Sequence, residues 1–217
     1  VTGNDNTAIG NKSQLNVTSG EFNTSLGSLS MGVGVTTGND NTALGYRSLE
    51  DVTSGSKNIA IGPAAIGNLT TGNNNVAIGY SSMGSANSGE SKNVAVGHLT
   101  LAAMDSGTDN FNTAVGYEAG RAISTAVRNT IIGGLSGDAI TTGGDNVSLG
   151  YNSLTSNTIG NSNVAIGKDS MLTNVAADRN VAVGLGALQN MTAASTADTY
   201  NVAVGYAAGQ AITTATV

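Results

Sequence analysis

The sequence predicts an all-β protein, a parallel β-solenoid, and three observations support this prediction. A five-residue motif recurs twelve times in the 217-residue chain: Asn, then Thr, Val or Ile, then a mostly small residue, then Ile, Val or Leu, then Gly. Most copies begin 17 or 18 residues after the previous one, a spacing too short for a strand–helix repeat. The composition, with 31 Gly and one Pro, suits narrow β-structure with tight turns.

The motif copies define one repeat domain that spans residues 1–217. They begin at Asn6, Asn23, Asn41, Asn58, Asn75, Asn93, Asn112, Asn129, Asn146, Asn163, Asn180 and Asn201. Because repeats fill the chain from Asn6 to Gly205 without a capping segment, we expect the natural protein to continue in both directions, as a longer fibre would.

Each motif predicts a strand that is buried on both faces. The fourth position is aliphatic in all twelve copies, and the second holds Val or Ile in seven and Thr in five. The third position, which alternation places on the opposite face, is Ala in nine copies, Ser in two and Ile131 in one. One face therefore closes the core, and the other must meet a partner, most simply a second copy of the chain. The pattern leaves open which face is which.

The residues after each motif predict a second short strand in every coil, and hence a roll with two sheets. A small residue and an aliphatic follow the Gly, as in Ser48-Leu49, and a Val-Thr-Thr-Gly type of segment comes later, as at 35–38. The coils that start at Asn93 and Asn180 are longer. We expect residues 101–111 and 190–200 to bulge as loops, either for binding or through neutral drift.

The repeated Asn and Gly have structural interpretations. Asn tolerates turn conformations, and stacked Asn side chains can hydrogen-bond along the axis of a β-stack. We therefore expect the twelve Asn residues to form a structural ladder. The Gly marks the corner at which each strand turns sharply.

At these residues the chain resembles the head repeats of trimeric autotransporter adhesins of the YadA type, and it is similar to repeats of bacteriophage tail fibres. Residues 75–79 and 163–167, each followed by a Ser at 82 or 170, carry the likeness. The resemblance implies a left-handed parallel β-roll that assembles as a homotrimer. The mostly 17-residue coil is longer than the shorter YadA-type repeat, and the Gly-Tyr-x-Ala-Gly segments at 116–120 and 205–209 look more like phage fibre repeats.

Several function classes find no support in the sequence. The net charge is −6 with only 8 Lys and Arg, which argues against nucleic acid as a partner. No apolar run approaches the length of a membrane span. His98 is the single histidine and there is no cysteine, so neither a catalytic triad nor a zinc site of those residues can form. The loop before Lys168 lacks the upstream Gly of a phosphate-binding loop. We expect no enzyme activity, cofactor or metal.

The expected role is a structural and receptor-engaging segment of an extracellular fibre. A phage tail fibre that attaches to a host-cell receptor or glycan is the leading hypothesis, and the head of a bacterial surface adhesin is the alternative. An ice- or glycan-binding module is a third option, because Thr residues recur in one row: Thr18, Thr36, Thr53, Thr70 and Thr141. Tyrosines that follow the motif Gly could form a contact strip or pack across turns and between subunits: Tyr46, Tyr80, Tyr117, Tyr151 and Tyr206.

Overall fold

The chain is an all-β parallel β-solenoid, described here by a computed structural model of residues 2–192 and 198–213. Those residues contain twelve strands of three residues each and no helix. Each strand is formed by motif positions two to four. The strands are β1 (Thr7–Ile9), β2 (Thr24–Leu26), β3 (Thr42–Leu44), β4 (Ile59–Ile61), β5 (Val76–Ile78), β6 (Val94–Val96), β7 (Thr113–Val115), β8 (Thr130–Ile132), β9 (Val147–Leu149), β10 (Val164–Ile166), β11 (Val181–Val183) and β12 (Val202–Val204).

The strands belong to two compact units, Val1–Phe111 with β1 to β6 and Asn112–Val217 with β7 to β12. Within each unit, consecutive strands pair in parallel and the motifs align position by position. Ala60, for example, lies opposite Ala43 on one side and Ala77 on the other. This register turns every motif position into a column of equivalent side chains.

The prediction of a second strand in each coil is wrong. After the motif Gly the backbone enters the left-handed region at alternate residues, as at Arg47 (φ 56°) and Leu49 (φ 47°), and it does so again at Lys57 (φ 59°) just before the next motif. Such residues turn the chain instead of extending it. Backbone hydrogen bonds still link neighbouring coils, for example from the Leu49 amide to the Ala65 carbonyl at 3.1 Å. The second half of a coil is therefore a series of turns, and the two-sheet roll reduces to one sheet closed by turns.

The Ala column closes the core. Ala60, Ala77 and Ala165 are fully buried, and so are larger side chains from the turn half of the coil, including Leu49 and Ile66. Small residues suit the inward face because the turn half of the coil already places large side chains in the same interior, such as Ile66 and Leu69 in one coil. The open question from the sequence is thereby answered: the third motif position faces inward, and positions two and four face outward.

The one large residue in the inward column is accommodated by a glycine. Ile131 is fully buried where other copies have a small residue, and Gly137 occupies the place that Leu49 or Ile66 fills in other coils. A Cβ built on Gly137 would lie 2.9 Å from Ile140 Cδ1 and 3.3 Å from Ile131 Cδ1. The core volume of this coil is kept constant by moving the large side chain from one column to another.

The motif Gly is required by two constraints at once. Gly79 has φ +128°, and a Cβ there would lie 2.3 Å from the carbonyl oxygen of Gly97 in the next coil. Any side chain would push the two coils apart. A glycine is therefore needed at this corner, both for its backbone angle and for its close contact with the next coil.

The longer coil of the first unit is held by a buried carboxylate. Glu90 is fully buried, and its Oε1 accepts hydrogen bonds from the amides of Ser106 (2.9 Å) and Gly107 (2.7 Å). In the predicted loop, 101–111, Leu101 and Met104 are also buried, whereas residues 105–109 are exposed or half-buried. In the second loop, 190–200, residues 193–197 lie outside the described part of the chain.

Candidate functional site

The outward face of the strands carries a row of apolar side chains in both units. Every side chain at motif positions two and four is half-buried or exposed. Leu44 keeps 41% of its surface exposed and Leu149 keeps 42%. We call the twelve pairs of outward side chains the aliphatic face; its members are residues 7 and 9, 24 and 26, 42 and 44, 59 and 61, 76 and 78, 94 and 96, 113 and 115, 130 and 132, 147 and 149, 164 and 166, 181 and 183, and 202 and 204. Soluble proteins seldom leave such a ladder of Ile, Val and Leu in water.

The Asn column lies inside the coils as a continuous hydrogen-bond ladder within each unit. Ten of the twelve Asn residues are fully buried. The Oδ1 atom of Asn58 accepts bonds from the amide and from the Nδ2 atom of Asn75, both at 3.0 Å, and Asn58 Nδ2 donates to the Gly72 carbonyl at 2.8 Å. Each Asn thus satisfies backbone groups in its own coil and in the next. The Oδ1 and Nδ2 atoms of the column are therefore used for hydrogen bonds within the protein.

The tyrosine row lies on the surface. Tyr46, Tyr80, Tyr117 and Tyr151 are each slightly more than half exposed, and Tyr206 is more exposed still. The Tyr80 ring stacks on His98 with centroids 5.3 Å apart and planes 19° apart. The row follows the motif Gly in sequence, so it lies just beyond the end of each strand. The alternatives from the sequence therefore stay open for the row: contact with a receptor, packing across the turn, or packing between subunits.

The threonine row takes part in packing and hydrogen bonding within the protein. Thr36 is fully buried. The hydroxyls of Thr53 and Thr141 donate to carbonyl oxygens of the next coil, Thr70 and Thr158, at 2.9 Å each. A surface array for ice needs free, outward hydroxyls, and these hydroxyls face the neighbouring coil.

Charged residues just before three motif Asn residues link neighbouring coils. Lys92 pairs with Asp109, Arg179 pairs with Asp198, and Arg128 binds both carboxylate oxygens of Asp145 at 2.6 and 2.8 Å. The hydrogen bond from Arg128 lowers the pKa of Asp145. All three pairs are exposed, so each contributes little to stability.

A groove in the first unit was not foreseen from the sequence. Its volume is about 340 Å³, and Arg47, Glu50, Asp51 and Asn68 line it together with one valine, one alanine and two glycines. It forms because the fifth residue after the motif Gly, which is Glu50 in one coil, is Gly67 and Gly84 in the next two. The only sequence feature that marks the groove is a glycine at this position in two successive coils.

Comparison of the chain with family models, with curated proteins and with solved structures gave no match. The clues to function therefore lie in the exposed side chains of the protein. Among residues 2–192 and 198–213 no three His, Cys, Asp or Glu side chains come together as a metal site would require. The same residues include no helix with the length and apolarity needed to cross a bilayer.

Proposed function

We propose that this chain is a non-catalytic structural and receptor-engaging segment of an extracellular fibre, assembled as a homotrimer through the aliphatic face. The single observation that carries the proposal is that face: Ile, Val and Leu point outward from strand after strand, whereas the small residues point inward. Burying such surface stabilises by roughly 25 cal/mol per Å².

A second copy of the chain is the partner that suits this face best. The aliphatic side chains recur at the strand spacing, about 4.8 Å, in both units. Another copy in parallel register presents a ladder with the same step, so that each contact made by one coil is repeated by the next. A globular partner has no such period. The number three and the left-handed sense of the coil come from the resemblance to YadA-type heads and phage fibre repeats.

The fibre role is supported by what the repeated residues do. The Asn column, the motif Gly and the Ala column are all used for stacking, turning and packing. A chain made almost wholly of scaffold suits a rod that projects a binding site, and its few exposed loops would resist proteases.

A phage tail fibre is preferred over a bacterial adhesin because the mostly 17-residue coils are longer than the YadA-type repeat and the Gly-Tyr-x-Ala-Gly segments look more like phage fibre repeats. The adhesin remains the second candidate, with the same assembly and a different host. An ice-binding module is disfavoured by the internal bonding of the threonine hydroxyls.

The proposal is tested by binding of the fluorescently labelled, assembled protein to a panel of bacterial strains and to mammalian cell lines, with thermal hysteresis measured in parallel. Saturable binding to particular bacterial strains supports the phage fibre. Saturable binding to mammalian cells alone supports the adhesin. Ice-growth inhibition without any cell binding would refute the fibre role.

A further inference from the structure

The groove of the first unit is a built recess with a defined floor. The absence of side chains at Gly67 and Gly84 leaves it open above the backbone, and a Cβ added to Gly67 would meet no heavy atom closer than 3.5 Å. Glu50 closes one end, with only 8% of its surface exposed. A volume of about 340 Å³ falls within the lower range of small-molecule sites.

The polar groups around the groove retain hydrogen-bonding capacity. Arg47 uses Nε to bind Glu50, at 2.9 Å to Oε1 and 2.7 Å to Oε2. Its two Nη groups have no acceptor within the described residues, which leaves four N–H donors. Asn68 uses Nδ2 to bind the Gly84 carbonyl at 3.1 Å, so its Oδ1 can accept.

Asp51 lines the groove with a carboxylate that is open to a ligand. In the part of the chain that the structure describes, this carboxylate accepts no hydrogen bond and forms no ion pair, and its oxygens are not buried. Burial of the residue and the nearby charge of Glu50 raise the pKa of Asp51, and Arg47 lowers it only in part. The Asp51 oxygens can therefore accept hydrogen bonds from hydroxyl or amine groups of a ligand.

An aromatic ring adjoins this polar set. The guanidinium carbon of Arg47 lies 5.8 Å from the centroid of the Tyr46 ring, and that ring is about half exposed. Arg47 therefore lies between the groove and the tyrosine row, although Tyr46 does not line the groove. The carboxylate, amide and guanidinium groups that do line it suit a ligand with many hydroxyls.

We propose that the groove between Arg47, Glu50, Asp51 and Asn68 binds one sugar unit of a glycan that carries no carboxylate. Two carboxylates face one guanidinium there, so the local charge is negative and repels sialic and uronic acids. The hydroxyls of a neutral or amine-bearing hexose would donate to Asp51 and to Asn68 Oδ1 and accept from the Arg47 Nη groups. This inference rests on the proposed receptor-engaging function, for which it names the ligand class and the place.

The test uses the whole chain on an array of immobilised oligosaccharides: hexose-terminated, N-acetylhexosamine-terminated, and sialylated forms of the same cores. The best-bound soluble oligosaccharide is then titrated by calorimetry against wild type, Asp51→Ala and Arg47→Gln. The control is Asp40→Asn, which also removes one negative charge from the first unit but at an exposed residue away from the groove. The oligomeric mass of every variant is measured in the same buffer.

Neutral glycans should bind, sialylated ones should not, and each groove variant should weaken binding at least tenfold while the control keeps wild-type affinity. Binding that is unchanged in both groove variants, or confined to sialylated glycans, would overturn the site. So would the lack of any saccharide binding by a properly assembled protein, an outcome that leaves the fibre proposal standing. A wild-type protein that is monomeric would instead refute the assembly, whatever the glycan result.

Discussion

Replacing Asn58 by Ala should strongly destabilise the fold, because two buried backbone groups lose their partners. The Asn75 amide loses the Asn58 Oδ1 acceptor at 3.0 Å, and the Gly72 carbonyl loses the Asn58 Nδ2 donor at 2.8 Å. The Asn75 side chain keeps its bond to the Glu90 carbonyl at 2.7 Å. An unsatisfied buried group costs about 1–3 kcal/mol, so the expected loss is about 2–6 kcal/mol in the free energy of unfolding.

The loss is measured by guanidinium chloride unfolding, followed by circular dichroism at one protein concentration, because assembly makes stability depend on concentration. Asn87→Ala is the matched control: Asn87 is exposed and its side chain makes no hydrogen bond within the described residues. The control should change stability by no more than about 0.5 kcal/mol. Equal, small effects of the two substitutions would refute the view that the Asn ladder holds the coils together.

An aspartate at the same position gives a pH-dependent version of this prediction. In Asn58→Asp, a carboxylate oxygen replaces Nδ2 and faces the acceptors Gly72 O and Asn41 Oδ1. Burial and these acceptors favour the protonated acid, so its pKa rises on folding. The destabilisation should therefore shrink as the pH falls. If the loss of stability caused by Asn58→Asp does not change with pH, the ladder geometry is wrong.

Three further predictions concern the core, the loop and a buried acid. Ala77→Glu should abolish the β-type circular dichroism spectrum, because Ala77 is fully buried and the chain should not fold. Ile78→Glu, on the outward face, should keep that spectrum. If both variants fold, the assignment of inward and outward faces is wrong. Glu90→Ala should speed hydrogen exchange at Ser106 and Gly107 by a factor on the order of 10 to 100, since both amides lose a charged acceptor; unchanged exchange would show that the carboxylate does not hold the loop. Burial raises the pKa of Asp138, whose Oδ1 is buried without a partner. The Asp138 carboxyl therefore binds a proton more tightly in the folded state than in the unfolded state, and its contribution to stability rises as the pH falls. Asp138→Asn should accordingly be at least as stable as wild type at pH 7, with its advantage lost in acid; a variant clearly less stable at pH 7 would contradict this.

The strand positions could be predicted from the sequence because one motif, repeated in register, marks each of them. Alternation within the motif also separates Ala77 from Val76 and Ile78 correctly. The inward direction of the Ala column could not be predicted, because it depends on how wide the coil is. In a coil closed by turns, the large side chains of the turn half, such as Ile66 and Leu69, fill the interior and leave room for a small strand residue such as Ala60.

The missing second strand has a definite physical cause. Leu49 and Ile66 adopt φ near +47°, which is unfavourable for ordinary residues and worst for a β-branched one. Local preference alone predicts extended backbone there. The hydrogen bonds to both neighbouring coils and the burial of these side chains override that preference. The groove escaped prediction for a similar reason, since only stacking brings Asp51 and Asn68 together above Gly67 and Gly84.

Light scattering of the purified chain at micromolar concentration decides whether the aliphatic face is an assembly face. We expect a particle of three chains, about 64 kDa for a chain of 21.4 kDa. Val76→Lys combined with Ile78→Lys should lower the particle mass and leave the β-type circular dichroism spectrum in place, because charges at this face must be desolvated on assembly. A folded wild-type protein with a mass of 21.4 kDa would show that the aliphatic face does not assemble.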